Sequence, residues 1–158
     1  MSETATIDLT PRVPPKSSFT KSVAIIGAGA SGLCTAKHLI EAGLDVTVFE
    51  IGTQVGGLWC FENDSGRSSA YRTLHINTAK NMTNFSDFKF REEVQRFPSH
   101  WDMHAYLGEY AEHFGVMDRI EFKSEIKSVT PLFEPGKEDP VSYTHLRAHE
   151  TDSYLVCR

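Results

Sequence analysis

The sequence predicts a parallel α/β fold, and three observations carry that prediction. A short β-branched run, "SVAII" at residues 22 to 26, ends in a glycine-rich turn. An amphipathic segment with helical period follows directly. A second β-branched run, "VTVFE" at residues 46 to 50, completes a strand, helix, strand unit of about 30 residues, the size of a parallel crossover. Such units build doubly wound, Rossmann-like sheets that bind FAD or NAD(P) beyond the carboxyl ends of their strands.

Residues 22 to 26 read as a buried parallel strand, short and followed at once by glycine. Leu33, Ala36 and Ile40 recur at helical spacing and Gly43 stands where a C-terminal cap belongs, so the helix is expected from about Ser31 to Ala42. From Ile51 to about Thr73 the chain is rich in Gly, Ser and Asn without a clean period, the mark of a loop. "HWDMHAYLGEYAEHFG" then places Met103, Tyr106, Leu107, Tyr110 and Phe114 on one helical stripe that stops before Gly115. "IEFKSEIKSVTPLF" reads as one or two short strands, broken at Pro135 and Gly136. No internal repeat is visible.

Composition narrows the function. The 158 residues carry a net charge of -5, with 40% hydrophobic and 23% charged residues, as expected of one soluble domain. No run of Lys and Arg offers a footprint for nucleic acid or anionic lipid, which leaves a small molecule as the expected partner. No window approaches the ~18 apolar residues of a membrane helix. Residues 1 to 21 are polar, lack the apolar core of a secretory signal and read as a leader arm. Cys34, Cys60 and Cys157 form neither a disulfide framework nor a metal pattern, which suits a cytoplasmic protein.

The glycines at 27, 29 and 32 have separate tasks in a G-x-G-x-x-G loop: a tight turn, backbone approach to a pyrophosphate, and close packing of helix on strand. A diphosphate held by Gly27, Ala28, Gly29, Ala30, Ser31 and Gly32 meets free N–H groups at a helix start, where the macrodipole is positive. Glu50, about 20 residues further on, accepts from an adenosine ribose and repels a 2'-phosphate, so the site is expected to hold FAD or NAD and not NADP. Gly56 and Gly57 allow a second close backbone approach, followed by Leu58 and Trp59. Taken alone, that stretch is equally a turn with two core side chains.

Four stretches in order, "GAGASGL", "FEIGTQVGGLWCF", "YRTLHINTAKNMTNFSDF" and "YLGEYAEHFGV", resemble the N-terminal third of flavin-containing monooxygenases. The resemblance runs from about Lys21 to Val129. It implies FAD at the first loop and Glu50, and a flavin site lined by Gly57, Leu58 and Trp59. It also implies that Asn77 is the catalytic asparagine facing flavin and nicotinamide, with Thr78 beside it. From residue chemistry alone Asn77 is a turn residue. The implied reaction has NADPH reduce the flavin and dioxygen add to it as a C4a-hydroperoxyflavin, which passes oxygen to a soft nitrogen or sulfur nucleophile. Baeyer-Villiger monooxygenases share this N-terminal architecture. A flavin or NAD-dependent reductase without oxygen insertion, or a nucleotide-binding module, are the other classes; Cys60 lacks the C-x4-C mate of the disulfide reductases. Self-association of a full-length protein is left open.

Lys37 and His38 are expected on a solvated face of the first helix, and Lys80 as an exposed cation within reach of a phosphate. His75 has no assignable partner, and Cys34 reads as packing. His145 and His149 lie four apart, which on a helix suits a metal. That reading is set aside, and no metal site is expected, because "VSYTHLRAHET" from Val141 and the final "YLVCR" match the translation of a transposase-type sequencing adapter. Residues 141 to 158 are therefore expected to be a non-native tail. Residues 22 to 140 are expected to form the N-terminal part of an FAD-binding domain, an incomplete sheet that by itself is inactive.

Overall fold

The computed structural model describes residues 22 to 129. The expected leader arm, the break at Pro135 and Gly136 and the tail with His145, His149 and Cys157 lie outside the described residues. The chain divides into two compact units after Glu125. Every regular element among the described residues belongs to the first unit, since residues 126 to 129 carry none.

The first unit contains β1 (Ser22–Ile26), α1 (Ala30–Glu41), β2 (Asp45–Phe49), α2 (Lys80–Thr83), α3 (His100–His113) and β3 (Ile120–Glu121). Single 3-10 turns cover Gly57–Trp59 and Met117–Arg119. The strands form one parallel sheet in the order β1, β2, β3. That is the 3-2-1 half of a doubly wound sheet, as the crossover pattern requires.

α1 begins and ends within a residue of its expected bounds. Its C-terminus is a Schellman cap: with Gly43 at φ +81, Gly43 N–H donates to Ile40 C=O and Leu44 N–H to Leu39 C=O, both at 3.0 Å. Leu33, Ala36 and Ile40 are buried against Val46 and Val48 of β2 and against α3. Each Leu or Val side chain so buried contributes roughly 1.5 to 3 kcal/mol. α3 presents Met103, Tyr106, Leu107 and Tyr110 as expected, and Ser99 with Asp102 closes its start in a reciprocal capping box.

Three readings are corrected. β1 is not buried: it alternates between exposed and half-buried, and Ile26 is 50% exposed. Among the described residues β1 pairs on one side alone, so it is a sheet edge. Lys37 is not on a solvated face: it is 7% exposed, and its Nζ lies 2.8 Å from Glu41 and 2.6 Å from Asp87, over the ring of Phe114. Burial disfavours that charge, but hydrogen bonds from the ammonium to Asp87 and Glu41 outweigh it and hold Lys37 above its ordinary pKa. Third, the strand in residues 120 to 129 is two residues long, Ile120–Glu121; a turn at residues 122 and 123 follows, with Lys123 at φ +55, and the Lys123 and Ser124 N–H groups donate to Gly52 C=O at 3.0 Å and Glu50 C=O at 2.8 Å.

An aromatic cluster mounts the loop before α3 onto that helix. Phe85, Phe88 and Phe90 pack on Tyr106 with ring centroids 5.9, 5.4 and 4.1 Å away, Phe85 and Phe90 stacked and Phe88 tilted. Tyr106 also pins the loop by hydrogen bonds: Phe85 N–H donates to its hydroxyl at 2.7 Å, and the hydroxyl donates to Phe88 C=O at 2.8 Å.

Candidate nucleotide-binding site

The register of β1 on β2 pairs Ile26 with Phe49, so both strands end together. Gly27 N–H donates to Phe49 C=O at 2.8 Å and the chain turns into α1 with Gly27 at φ +93, a left-handed conformation. A Cβ at Gly32 would lie 2.0 Å from the Gly27 carbonyl oxygen, so helix and strand approach as closely as the loop pattern requires. Gly29 differs. A Cβ there would meet no protein atom nearer than the Gly57 Cα, at 3.7 Å. Its own chain does not demand glycine there.

The two glycine turns face each other. Gly56 N–H donates to Ala28 C=O at 2.9 Å, and a Cβ on Gly57 would come 3.1 Å from the Gly29 Cα. α1 has Gly29 as its N-cap, with no side-chain cap and no acidic residue in its first turn, whereas α3 carries a full capping box. The uncapped end leaves the N–H groups of Ala30, Ser31 and Gly32 without a side-chain acceptor, and adds the positive pole of a twelve-residue helix.

Glu50 sits just past β2 and is 5% exposed. One carboxylate oxygen accepts from Ala28 N–H at 2.7 Å and the other from Gly52 N–H at 2.8 Å. A carboxylate has about four acceptor positions, so capacity for a ribose hydroxyl remains. Gly52 and Asn63 escaped the sequence reading. A Cβ on Gly52 would stand 2.7 Å from Asn63 Oδ1, which accepts Ser65 N–H at 2.8 Å. "NDSG" at residues 63 to 66 is a legible turn, but nothing local tells that it backs onto Gly52.

Leu58 is 52% exposed and Trp59 half-buried against the core, so of the two, only Trp59 acts as a core side chain. His104 of α3 supports this turn from behind: a Cβ on Gly56 would be 2.8 Å from its ring. Asn77 and Thr78 are exposed on a bend, flanked by the Ile76 N–H to Pro98 C=O bond at 2.8 Å. Thr78 Oγ1 bonds Thr83 Oγ1 at 2.6 Å. No hydrogen bond among the described residues joins this bend to the glycine turns. Lys80 is not a free cation: all three N–H of its ammonium donate to backbone carbonyls. Cys60 is buried, and burial with the negative charges of Asp64 and Glu50 pushes its thiol up, away from thiolate chemistry. A hollow of about 190 Å³ lined by Phe90, Arg91, Val94, Asp102, Tyr106 and Glu109 lies beside α3 and includes no predicted site residue. Among the described residues no three His, Cys, Asp or Glu side chains gather as a metal site, and no helix is long and apolar enough to cross a membrane.

Comparison with known proteins agrees with this geometry. Residues 20 to 140 match the flavin-binding monooxygenase-like family model. Dimethylaniline monooxygenase (N-oxide-forming) 4 of Mus musculus is 42% identical over 144 residues, covering 87% of this chain and 26% of that protein. Flavin-containing monooxygenase 1 of Homo sapiens is 41% identical over 112 residues, covering 70% of this chain and 21% of that protein. The structure of S-allyl-L-cysteine S-oxygenase from Allium sativum superposes with a TM-score of 0.65 at 33% identity, over 73% of this chain and 30% of that one. The chain thus spans about a quarter of the length of the curated relatives it matches. Paired glycine turns, a buried acid behind them and a family match across the whole described sheet lead to one conclusion: the chain belongs to the flavin-binding monooxygenase-like family.

Proposed function

We propose that residues 22 to 140 form the N-terminal part of the FAD-binding domain of an NADPH-dependent monooxygenase that oxygenates soft nitrogen or sulfur nucleophiles. The observation that carries it is the open space before Gly29, walled by Gly57 and capped by the bare N-terminus of α1. An FAD diphosphate suits that cradle. The amides of Gly29, Ala30, Ser31 and Gly32 would hold it, and Glu50, already fixed by Ala28 and Gly52, would take the ribose hydroxyls.

The chemistry supplied by FAD, when bound and reduced by NADPH, is activation of dioxygen for insertion of one oxygen atom into the substrate. The protein's part is positioning and exclusion of water. Gly57, Leu58 and Trp59 would wall the flavin ring, with the exposed Leu58 free to cover it. Asn77 would serve as the catalytic amide, since it donates and accepts at once, and Thr78 would flank it. The relatives' names, an N-oxide-forming dimethylaniline monooxygenase and an S-oxygenase, support amines and thioethers as substrates over the ketones of Baeyer-Villiger enzymes. Free Cys34 and Cys60 suit a reducing, cytoplasmic setting.

The intact protein, given NADPH and oxygen, is expected to convert a tertiary amine or thioether to its N-oxide or S-oxide, one per NADPH. Consumption of NADPH with no oxygenated amine or sulfide, or formation of an ester from a ketone alone, would overturn this reading.

A further inference from the structure

Asn77 and Thr78 ride on an arch whose two feet are tied to one partner segment. The upstream foot is Ile76, whose N–H donates to Pro98 C=O at 2.8 Å, beside the His75 to Ser99 bridge. The downstream foot is Lys80, whose N–H donates to Arg96 C=O at 2.8 Å. Two residues face solvent between buried Ile76 and half-buried Ala79.

The Lys80 side chain adds the stronger tie. Its Nζ donates to the carbonyls of Arg91 at 3.2 Å, Glu92 at 2.8 Å and Val94 at 2.6 Å. An ammonium has three N–H groups and no acceptor, so every donor is used, and each bond is charge-assisted. The three carbonyls belong to one turn, closed by the Val94 N–H to Arg91 C=O bond at 3.2 Å. That turn is itself anchored: Phe90 stacks on Tyr106 at 4.1 Å, and Arg91 pairs with Glu109 of α3 at 2.6 Å. A four-residue helix such as α2 cannot fix a bend by its own stability. The lysine couples that bend to the body of α3.

We infer that Lys80 is a positioning residue: its ammonium clamps the arch carrying Asn77 to the turn at residues 91 to 94, and so sets where the Asn77 amide is held relative to the flavin. This rests on the proposed role of Asn77. The chemistry does not pass through Lys80, whose donors all go to backbone.

The test uses the full-length flavoprotein with Lys80→Met, which keeps length and loses the donors, together with Asn77→Ala and the double variant. FAD content is expected to stay within twofold of the parent, because the glycine turns are untouched. Flavin reduction by NADPH is expected to slow at least tenfold in each single variant, with the double variant no slower than the worse single. Hydrogen exchange at the amides of residues 76 and 80 is expected to rise at least tenfold in Lys80→Met. If Asn77→Ala slows reduction while Lys80→Met neither slows it nor changes exchange, the clamp is overturned and the Asn77 reading stands. A silent Asn77→Ala overturns the Asn77 reading, while the exchange rates still decide whether Lys80 holds the arch. Should Lys80→Met fail to accumulate as folded protein, Lys80→Gln, which retains two weaker donors, is read by the same measurements.

Discussion

Glu50 accepts the N–H of Ala28 at 2.7 Å across twenty-two residues of chain, joining the acid just past β2 to the glycine loop that follows β1. With Gly52 N–H on its other oxygen at 2.8 Å, the same carboxylate ties the first glycine loop to the chain just past β2. A preformed acceptor of this kind lowers the ordering cost of binding.

Glu50→Gln tests that double duty. The amide keeps one acceptor and turns an NH2 toward a backbone N–H, so one buried donor loses its partner. Unfolding free energy is expected to fall by about 1 to 3 kcal/mol in urea titration. FAD affinity should drop at least tenfold in the same protein.

Gly29→Ala and Gly32→Ala separate ligand from fold. A Cβ at position 29 stays 3.7 Å from the Gly57 Cα, so with alanine the fold should persist while FAD occupancy of the purified full-length protein falls, read as flavin absorbance per chain. At position 32 it would lie 2.0 Å from a carbonyl oxygen, and the substitution should cost about 3 kcal/mol of stability. Equal flavin occupancy in Gly29→Ala and the parent would remove the reason for placing a diphosphate there.

Lys37→Met leaves Asp87 and Glu41 without their shared cation. Because Asp87 is about one third exposed, the expected loss is about 1 to 3 kcal/mol, between surface and buried pairs. The hydrogen bond from Lys37 holds Asp87 below its ordinary 3.8, and Lys37 stands above 10.5. A lowered carboxyl stabilises above its unfolded value and stops doing so as pH falls through its folded one; a raised ammonium stabilises below its unfolded value and stops as pH rises through its folded one. The stability gap between parent and variant should therefore be flat near neutral pH, closing below pH 3.8 and above pH 10.5.

Tyr106→Phe should destabilise the fold and Tyr110→Phe should not. Tyr106, whose phenol burial pushes up to about 12, gives and receives a hydrogen bond. Its loss should cost about 1 to 3 kcal/mol. Tyr110, buried beside the Cys34 thiol, has no partner for its hydroxyl in proper geometry. Removing that hydroxyl should be neutral or raise stability by about 1 kcal/mol, measured as a shift in urea midpoint at constant slope.

The sequence by itself determined β1, α1 and β2 to within a residue, the stripe of α3, and the pairing of three glycines with an acid. Those features are local: period, cap and turn chemistry act over a few residues, and the loop pattern encodes its own geometry. Tertiary structure alone decided that Gly57 faces Gly29, that Lys37 is buried under Asp87, and that Lys80 is committed to the turn at residues 91 to 94. Each of these joins residues 10 to 50 positions apart with no shared period, and whether a lysine is solvated or clamped depends on which backbone folds over it. β1 shows the same limit from the other side: its residues have the composition of a central strand, yet burial belongs to the neighbours a strand is given, and among the described residues it has one.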